Sequence, residues 1–324
     1  MKSCFRMFMV ELLLGHLPAD WRDDVFGIKR FRAKNRIFPQ EQTLIFFTEE
    51  GKWHGGFCDR MKGIVSLFHF CLCKNIKFKI NYEFPFCLSG FLQPNEYDWI
   101  INRNEISFHR QEAKYMNLIG DQSLKRLKNL KSQKQIHALA NRDVVSLLNS
   151  EYATDYTWGE LFKKLFKPIE KLQNAIDEHI KIINGNYICA VFRFQNLLDD
   201  FQEYKYQPLK EIEQTGLIEK CKKAVLTLRN KETIKKILVT SDSTKFLNAV
   251  LDLENVFAFP SKVVHIDCVE NEDNNVYMKS FLDFYLLLES EKIFSIGADK
   301  MYDSDFPRYA AKVNNIPFER ILIK

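Results

Sequence analysis

Short apolar runs alternate with helix-length segments along most of this chain, and that alternation limits the fold more than any single motif. In the second half, Ile188 to Gln195 reads as a strand, Lys210 to Arg229 as a helix, Ile237 to Thr240 as a strand and Thr244 to Leu253 as a helix. Val263 to Ile266, Met278 to Ser290 and Ile293 to Ile296 continue as strand, helix and strand, with an acidic loop at Glu270 to Asn275. A last helix and the strand Ile321 to Ile323 follow. A run that is apolar throughout suits a strand covered on both faces, and a helix between two such strands makes them parallel. The expected class is α/β, with ligands held beyond the carboxyl ends of the strands.

The first half follows the same rule less cleanly. Thr43 to Phe47 is a compact apolar strand, and Met61 to Lys74 reads as a helix after a glycine turn. Ile76 to Ile80 alternates strictly, as a strand with one wet face does. Tyr97 to Ile101 is a further strand candidate. Gln111 to Asn149 is polar and rich in Lys and Gln, and reads as mostly helical. Trp158 to Ile183 is a long helical region that Pro168 breaks or restarts, because proline cannot donate to the preceding turn. Asn184-Gly185-Asn186 then turns the chain into the strand at Ile188. These boundaries predict two domains, 1–155 and 156–324, with the division falling between about Thr154 and Gly185.

Composition narrows the function. With 324 residues, 46% hydrophobic and 27% charged, the chain has the make-up of a soluble globular protein of two ordinary domains. Its net charge of +5 favours anionic ligands without demanding nucleic acid. The basic stretch Ser123 to Gln135 carries Leu124, Leu127 and Leu130 and no aromatic, the stripe of an ordinary surface helix, so a nucleic-acid partner is not expected. Eight Cys without a CxxC pair indicate a reducing compartment. His69, Cys71 and Cys73 sit two apart in a helical context, where such side chains diverge, so they are read as core and not as metal ligands. Met7 to Leu14 is interrupted by Glu11 and is read as an ordinary helix, not as a signal peptide. The run Lys29 to Arg36 is basic with one aromatic, which suits either anionic lipid or a solvated surface.

Four segments carry chemistry. Gly55 and Gly56 stand between a strand and a helix, where glycine lets backbone amides approach an anion at the helix N-terminus. Asp59 and Arg60 open that helix; Asp59 offsets the helix dipole, and Arg60 lies near enough to the sheet edge to point into a cleft. Arg193 ends an apolar strand and offers a fixed bidentate fork to a diphosphate, unless Asp199 or Asp200 pairs with it. Asp242 follows a buried strand, where its carboxylate can read a guanine edge or where it or Ser243 can cap the next helix. Ser304 offers a hydroxyl to phosphate, and Asp303 and Asp305 around it form a D-x-D triplet that in other settings holds a metal.

In this order and spacing, these segments resemble the fucosyltransferase-type glycosyltransferases of two-Rossmann (GT-B) architecture, a superfamily that includes the α-1,6-, nodulation and protein O-fucosyltransferases. Gly55 to Ile64 resembles their glycine turn in its G-x-x-D-R-hydrophobic-x-G variants, and Val191-Phe192-Arg193 matches the arginine of a His-x-Arg strand but not its histidine. Ser241-Asp242 matches a strand ending in Ser-Asp, and Ser304-Asp305-Phe306 with Ala310-Ala311 matches the last motif, although Asp305 stands where a small residue is usual. The resemblance implies two Rossmann-like domains facing a cleft and an inverting transfer of fucose, or a related sugar, from GDP-fucose or a similar donor. It implies that Arg193 stabilises the leaving diphosphate, that Asp242 and Ser243 meet the nucleotide, and that Ser304 and Phe306 line its phosphate side. Gly55, Gly56, Asp59 and Arg60 would line the cleft, and Asp199, Asp200 or Glu203 would be the general base. Asp283, on a helix expected near the last motif, would either bond the Ser304 loop or be a solvated helix residue. No bound metal or other cofactor is implied. The implied partners are a nucleotide-sugar donor and a glycan or lipid-linked glycan acceptor, in the cytoplasm at the inner membrane surface, in bacterial polysaccharide synthesis.

Overall fold

The structure, a computed structural model, describes residues 19–34, 36–50, 52, 54–123, 125–128, 134–201, 207–261, 263, 266, 275–298 and 300–324. Met7 to Leu14, Glu203 and most of the acidic loop lie outside the described residues, as do parts of the segments expected at Val263 to Ile266 and Ser123 to Gln135. The chain forms two compact units. Unit 1 comprises Met1–Leu88 and Leu92–Lys167, and unit 2 comprises Ser89–Phe91 and Pro168–Lys324.

Unit 1 is built on a four-stranded parallel sheet in the order β2-β1-β5-β4. The strands are β1 (Thr43–Phe47), β2 (Lys77–Asn81), β4 (Ala113–Leu118) and β5 (Gln135–Ala140). Helix α1 (Ala19–Arg30) packs on β4, and α2 (Phe57–Lys74) crosses from β1 to β2. β1 is wholly buried, as its unbroken apolar run requires. Two expectations are corrected here. Tyr97 to Ile101 is not a strand; Ile100 makes only an isolated bridge to Ile80. Gln111 to Asn149 is not mostly helical, since it supplies β4 and β5, half of this sheet, with only the four-residue α3 (Lys125–Lys128) between them and the short α4 (Val145–Tyr152) after them. Gln135 and His137 made this stretch look polar, but both are buried in β5 among partners that satisfy them.

Helix α5 (Trp158–Leu165) completes unit 1. The three-residue strand β6 (Phe166–Pro168), paired with β3 (Leu92–Pro94), separates it from α6 (Glu170–Ile183). The break therefore lies at Pro168. Thr157 caps α5 through a capping box with Glu160, a start signal present in the sequence as T-x-x-E.

Unit 2 is a five-stranded parallel sheet in the order β11-β10-β7-β8-β9. Its strands are β7 (Ile188–Phe192), β8 (Ile237–Ser241), β9 (Val256–Phe257), β10 (Ile293–Ala298) and β11 (Phe318–Ile323). Taken in chain order within the unit, this is the doubly wound order 3-2-1-4-5, whose direction reverses between β7 and β10. The connecting helices are α7 (Glu211–Lys231), α8 (Thr244–Val250), α9 (Asn275–Leu288) and α10 (Asp305–Asn314). β7, β8 and β10 are buried along their whole length. The described third strand of this sheet is the two-residue β9, which the sequence reading passed over.

Candidate active site

The glycine turn of unit 1 is shaped by what each position must avoid. Gly55 has φ +82°, and a Cβ there would lie 2.5 Å from Asp59 Oδ2. Gly56 is the N-cap of α2, no side chain caps that helix, and a Cβ at Gly56 would meet no atom within 4 Å. Gly63 is needed for a different reason: its Cβ would lie 1.9 Å from the Ala140 carbonyl oxygen, so α2 seats directly on the end of β5.

Asp59 stands partly exposed in the first turn of α2 and pairs with Lys62 at 2.6 Å. Arg60 turns the other way. Its side chain is fully buried, its Nε donates to the Gly55 carbonyl at 3.1 Å and its Nη1 to the Phe84 carbonyl at 3.1 Å. The expectation of an outward-pointing Arg60 is therefore corrected: it braces the glycine turn against the 84 loop. His54, which the sequence reading passed over, completes the turn. Its Nε2 lies 3.1 Å from the Glu49 amide nitrogen. Burial, and then the positive charge of Arg60, lower its pKa to about 3, so the ring is neutral.

In unit 2, Arg193 stands one residue past β7, at the switch point. Its Nη1 lies 3.0 Å from Asp242 Oδ2, its guanidinium lies 4.4 Å from the Phe201 ring centroid, and 22% of the side chain is open to solvent. Asp242, at the end of β8, is buried. It accepts the Phe194 amide at 2.9 Å and the Gln195 amide at 2.7 Å, in addition to Arg193. Burial pushes this carboxyl above its ordinary value, against the opposing pull of Arg193 and the two amides. Both of its oxygens are engaged by these groups. It is the partner of Arg193 in place of Asp199 or Asp200, and it fixes the backbone that carries the arginine. Gln195 pays in conformation for this arrangement: φ is +54°, and its buried Oε1 has no hydrogen-bond partner among the described residues.

Ser243 caps α8, accepting the Phe246 amide at 3.0 Å, and donates its hydroxyl to Asp200 Oδ2 at 2.8 Å. The same Asp200 oxygen accepts the Lys245 amide at 2.8 Å. Arg193, Asp242, Ser243 and Asp200 thus lie along one corner. The Arg193 carbonyl accepts the Tyr302 amide at 3.2 Å, which ties that corner to the segment leading into α10. There Ser304 caps α10, accepting the Phe306 amide at 3.2 Å, and the Phe306 ring lies edge-on to Phe284. Asp303 pairs with Arg320, and Asp305 with Arg308 at 3.5 Å. Among the described residues no His, Cys, Asp or Glu cluster suits a metal. Asp283 does not reach the Ser304 loop; it forms a buried ion pair with Lys279.

A cavity of about 380 Å³ lies beside this corner, lined by Leu197, Leu209, Leu217 and Ala298 with Gly216, Glu213, Lys220 and Lys300. Its apolar lining is made of ordinary core positions, and no motif in the sequence marks them.

No protein-family model matches the chain, and no curated protein matches it. Solved structures do. The chain shares its fold with known fucosyltransferases. NodZ from Bradyrhizobium is 15% identical, with a TM-score of 0.52 over 84% of this chain and 93% of that one. A NodZ alpha-1,6-fucosyltransferase co-crystallised with GDP gives 15% and a TM-score of 0.54 over 84% and 92%. An Arabidopsis thaliana FUT1 variant in complex with GDP gives 9% and a TM-score of 0.58, covering all of this chain and 79% of that one. At these identities the likeness is one of fold, and it agrees with two parallel-sheet units in one α/β chain.

Proposed function

We propose that the chain is an inverting glycosyltransferase that moves fucose, or a related sugar, from a GDP-linked donor to a hydroxyl of a glycan or lipid-linked glycan. The carrying observation is Arg193, a partly exposed guanidinium fixed by a buried carboxylate at the switch point of a doubly wound sheet. When the sugar C1–O bond breaks, negative charge grows on the diphosphate. A guanidinium already in place stabilises that charge more in the transition state than in the ground state. Asp242 holds the arginine and is a positioning residue. Ser304, the N-cap of α10, follows the neighbouring strand β10 by six residues and is within reach of the same phosphates in this reading. The general base we assign is Asp200, which is exposed and whose bonds to Ser243 and Lys245 engage only Oδ2. No metal takes part in this reading, which places the reaction in the cytoplasm, in the building of a bacterial surface polysaccharide.

A thermal-shift titration with GDP, UDP, CDP, ADP and GDP-fucose, with and without EDTA, tests it. A ligand that binds only the folded state raises the melting temperature by mass action. The expected result is a shift with guanine nucleotides alone, unchanged by EDTA and lost in Arg193→Ala. A preference for UDP, or a need for divalent metal, overturns the donor assignment. One observation favours a second reading: Val191, buried in β7, replaces the histidine that the resemblance calls for. A GDP shift with no sugar transfer to any acceptor would make the chain a nucleotide-sugar-binding protein.

A further inference from the structure

Helix α1 is amphipathic in an unusual sense. Its inner face is held by Asp23, which accepts the Asn117 amide at 3.1 Å, and by Phe26 and Gly27, which lie against Tyr115. Its outer face presents Trp21, Val25 and Ile28, at i, i+4 and i+7, with Trp21 66% and Ile28 68% exposed. A surface helix ordinarily turns polar groups outward along such a stripe.

The chain then presents more apolar surface a few residues on. Phe38 is 61% exposed and Ile37 39% exposed. Phe38 has φ +51°, a conformation bulky residues avoid. The segment is locked there by one buried carboxylate: Glu112 accepts the Ile37 and Phe38 amides at 3.1 and 3.0 Å and Arg36 Nε at 3.1 Å. So the fold uses a strained backbone and a buried acid to hold an aromatic ring out in water. Both features are anchored on the same part of unit 1. Arg32 bridges to His109, Glu112 closes the turn that begins at His109, and β4, on which α1 packs, starts at Ala113.

Charge selects the occupant. Residues 25–40 contain Lys29, Arg30, Arg32, Lys34 and Arg36 and no acidic residue. Arg30 is turned inward onto His137, and Arg36 is paired with Glu112, while Arg32 and Lys34 are exposed. A Trp, two aliphatic residues and a locked Phe beside uncompensated cations match a layer that is apolar beneath an anionic surface. We infer that the outer face of α1 and the 36–38 tip dock on an anionic lipid bilayer, lying in its interface. Among the described residues no helix is long and apolar enough to cross a membrane.

The test is flotation of the full chain with vesicles of phosphatidylcholine alone and of phosphatidylcholine with about 30% phosphatidylglycerol. Binding to the anionic vesicles only, weakened by salt, is expected. Phe38→Ser, Trp21→Ser with Ile28→Ser, and Arg32→Glu with Lys34→Glu should each lower partitioning by about tenfold or more. Their far-UV melting curves should match wild type, because all these side chains are exposed. The Trp21 contribution to fluorescence, taken against Trp21→Phe, should be quenched by acrylamide in buffer and shielded by anionic vesicles. Three results overturn the inference: no flotation with anionic vesicles, equal flotation with neutral ones, or flotation that the variants leave unchanged. Shielding of Trp21 without lipid also overturns it, since the face would then be covered by the chain itself or, if Trp21→Ser abolishes dimers in light scattering, by a second copy.

Discussion

The two strand-to-helix corners that the sequence singles out are braced by buried charges of opposite sign. In unit 1 an arginine donates to carbonyls: Arg60 holds Gly55 and Phe84. In unit 2 a carboxylate accepts from amides: Asp242 holds Phe194 and Gln195. The consequence for arginine differs. Arg60 is itself the brace and is buried, whereas Arg193 is what the brace presents, and part of it reaches solvent. The same residue type at similar places in two α/β units is therefore structural in one and a candidate catalytic group in the other. What separates them is whether the backbone corner needs donors or acceptors.

Removing the braces should break the comparison most sharply. Asp242→Ala leaves two buried amides and an arginine without their acceptor, and should cost about 4 kcal/mol in urea unfolding. Nucleotide binding should fall with it, because Arg193 loses its anchor. Arg60→Met strands one buried and one partly buried carbonyl and should cost about 3 kcal/mol. It should weaken nucleotide binding far less than Arg193→Ala does. If Arg60→Met instead leaves stability unchanged and abolishes GDP binding, the division of roles is wrong.

Acid sharpens the comparison by a different route. The folded-state pKa of His54 is lowered from 6.5 to about 3, so its contribution is fully present above pH 6.5 and is lost as pH falls toward 3. His137, buried beside Arg30, is shifted in the same direction. Glu112 works lower. Burial pushes its pKa up, but its four hydrogen bonds prevail and take it to about 2, so its contribution fades between pH 4.5 and 2. Asp242 is shifted upward and so gives unit 2 no comparable loss on acidification. Hydrogen exchange at pH 7 and pH 5 should show protection falling in β1 and β5 before β7 and β8. The reverse order would contradict these assignments.

The smallest effects test the glycines. Gly55→Ala should cost about 1–2 kcal/mol, because its φ is positive and Asp59 blocks a Cβ. Gly56→Ala, with open space around it, should cost less than about 1 kcal/mol, the loss of a modest N-cap preference.

Much of unit 2 was legible because β7, β8 and β10 are buried on both faces and therefore read as plain apolar runs between helices. β4 and β5 were not, because Gln135 and His137 sit inside the sheet. Their partners, Ser107 and Arg30, are 28 and 107 residues away in sequence. The site divides in the same way. A charge at a strand end is visible from the sequence, and Arg193 and Asp242 were found so. Which backbone groups they serve is not, because Asp242 bonds residues 47 and 48 positions away and Arg60 bonds one 24 away. Glycines show a similar limit. Gly55 and Gly63 are both required, one by torsion and the other by contact with a strand end, and nothing in the letter G separates these causes.

That contact at Gly63 has a mechanical meaning. A helix resting on a carbonyl through a residue without a side chain is pinned in both sliding and rotation. Phe57, where α2 begins, is six residues away, or about 9 Å along a rigid rod. The glycine turn therefore inherits its position from the sheet, not from the loop that forms it. Anyone wishing to re-aim this end of unit 1 would have to change the loop before Gly55, since the helix behind it will not give.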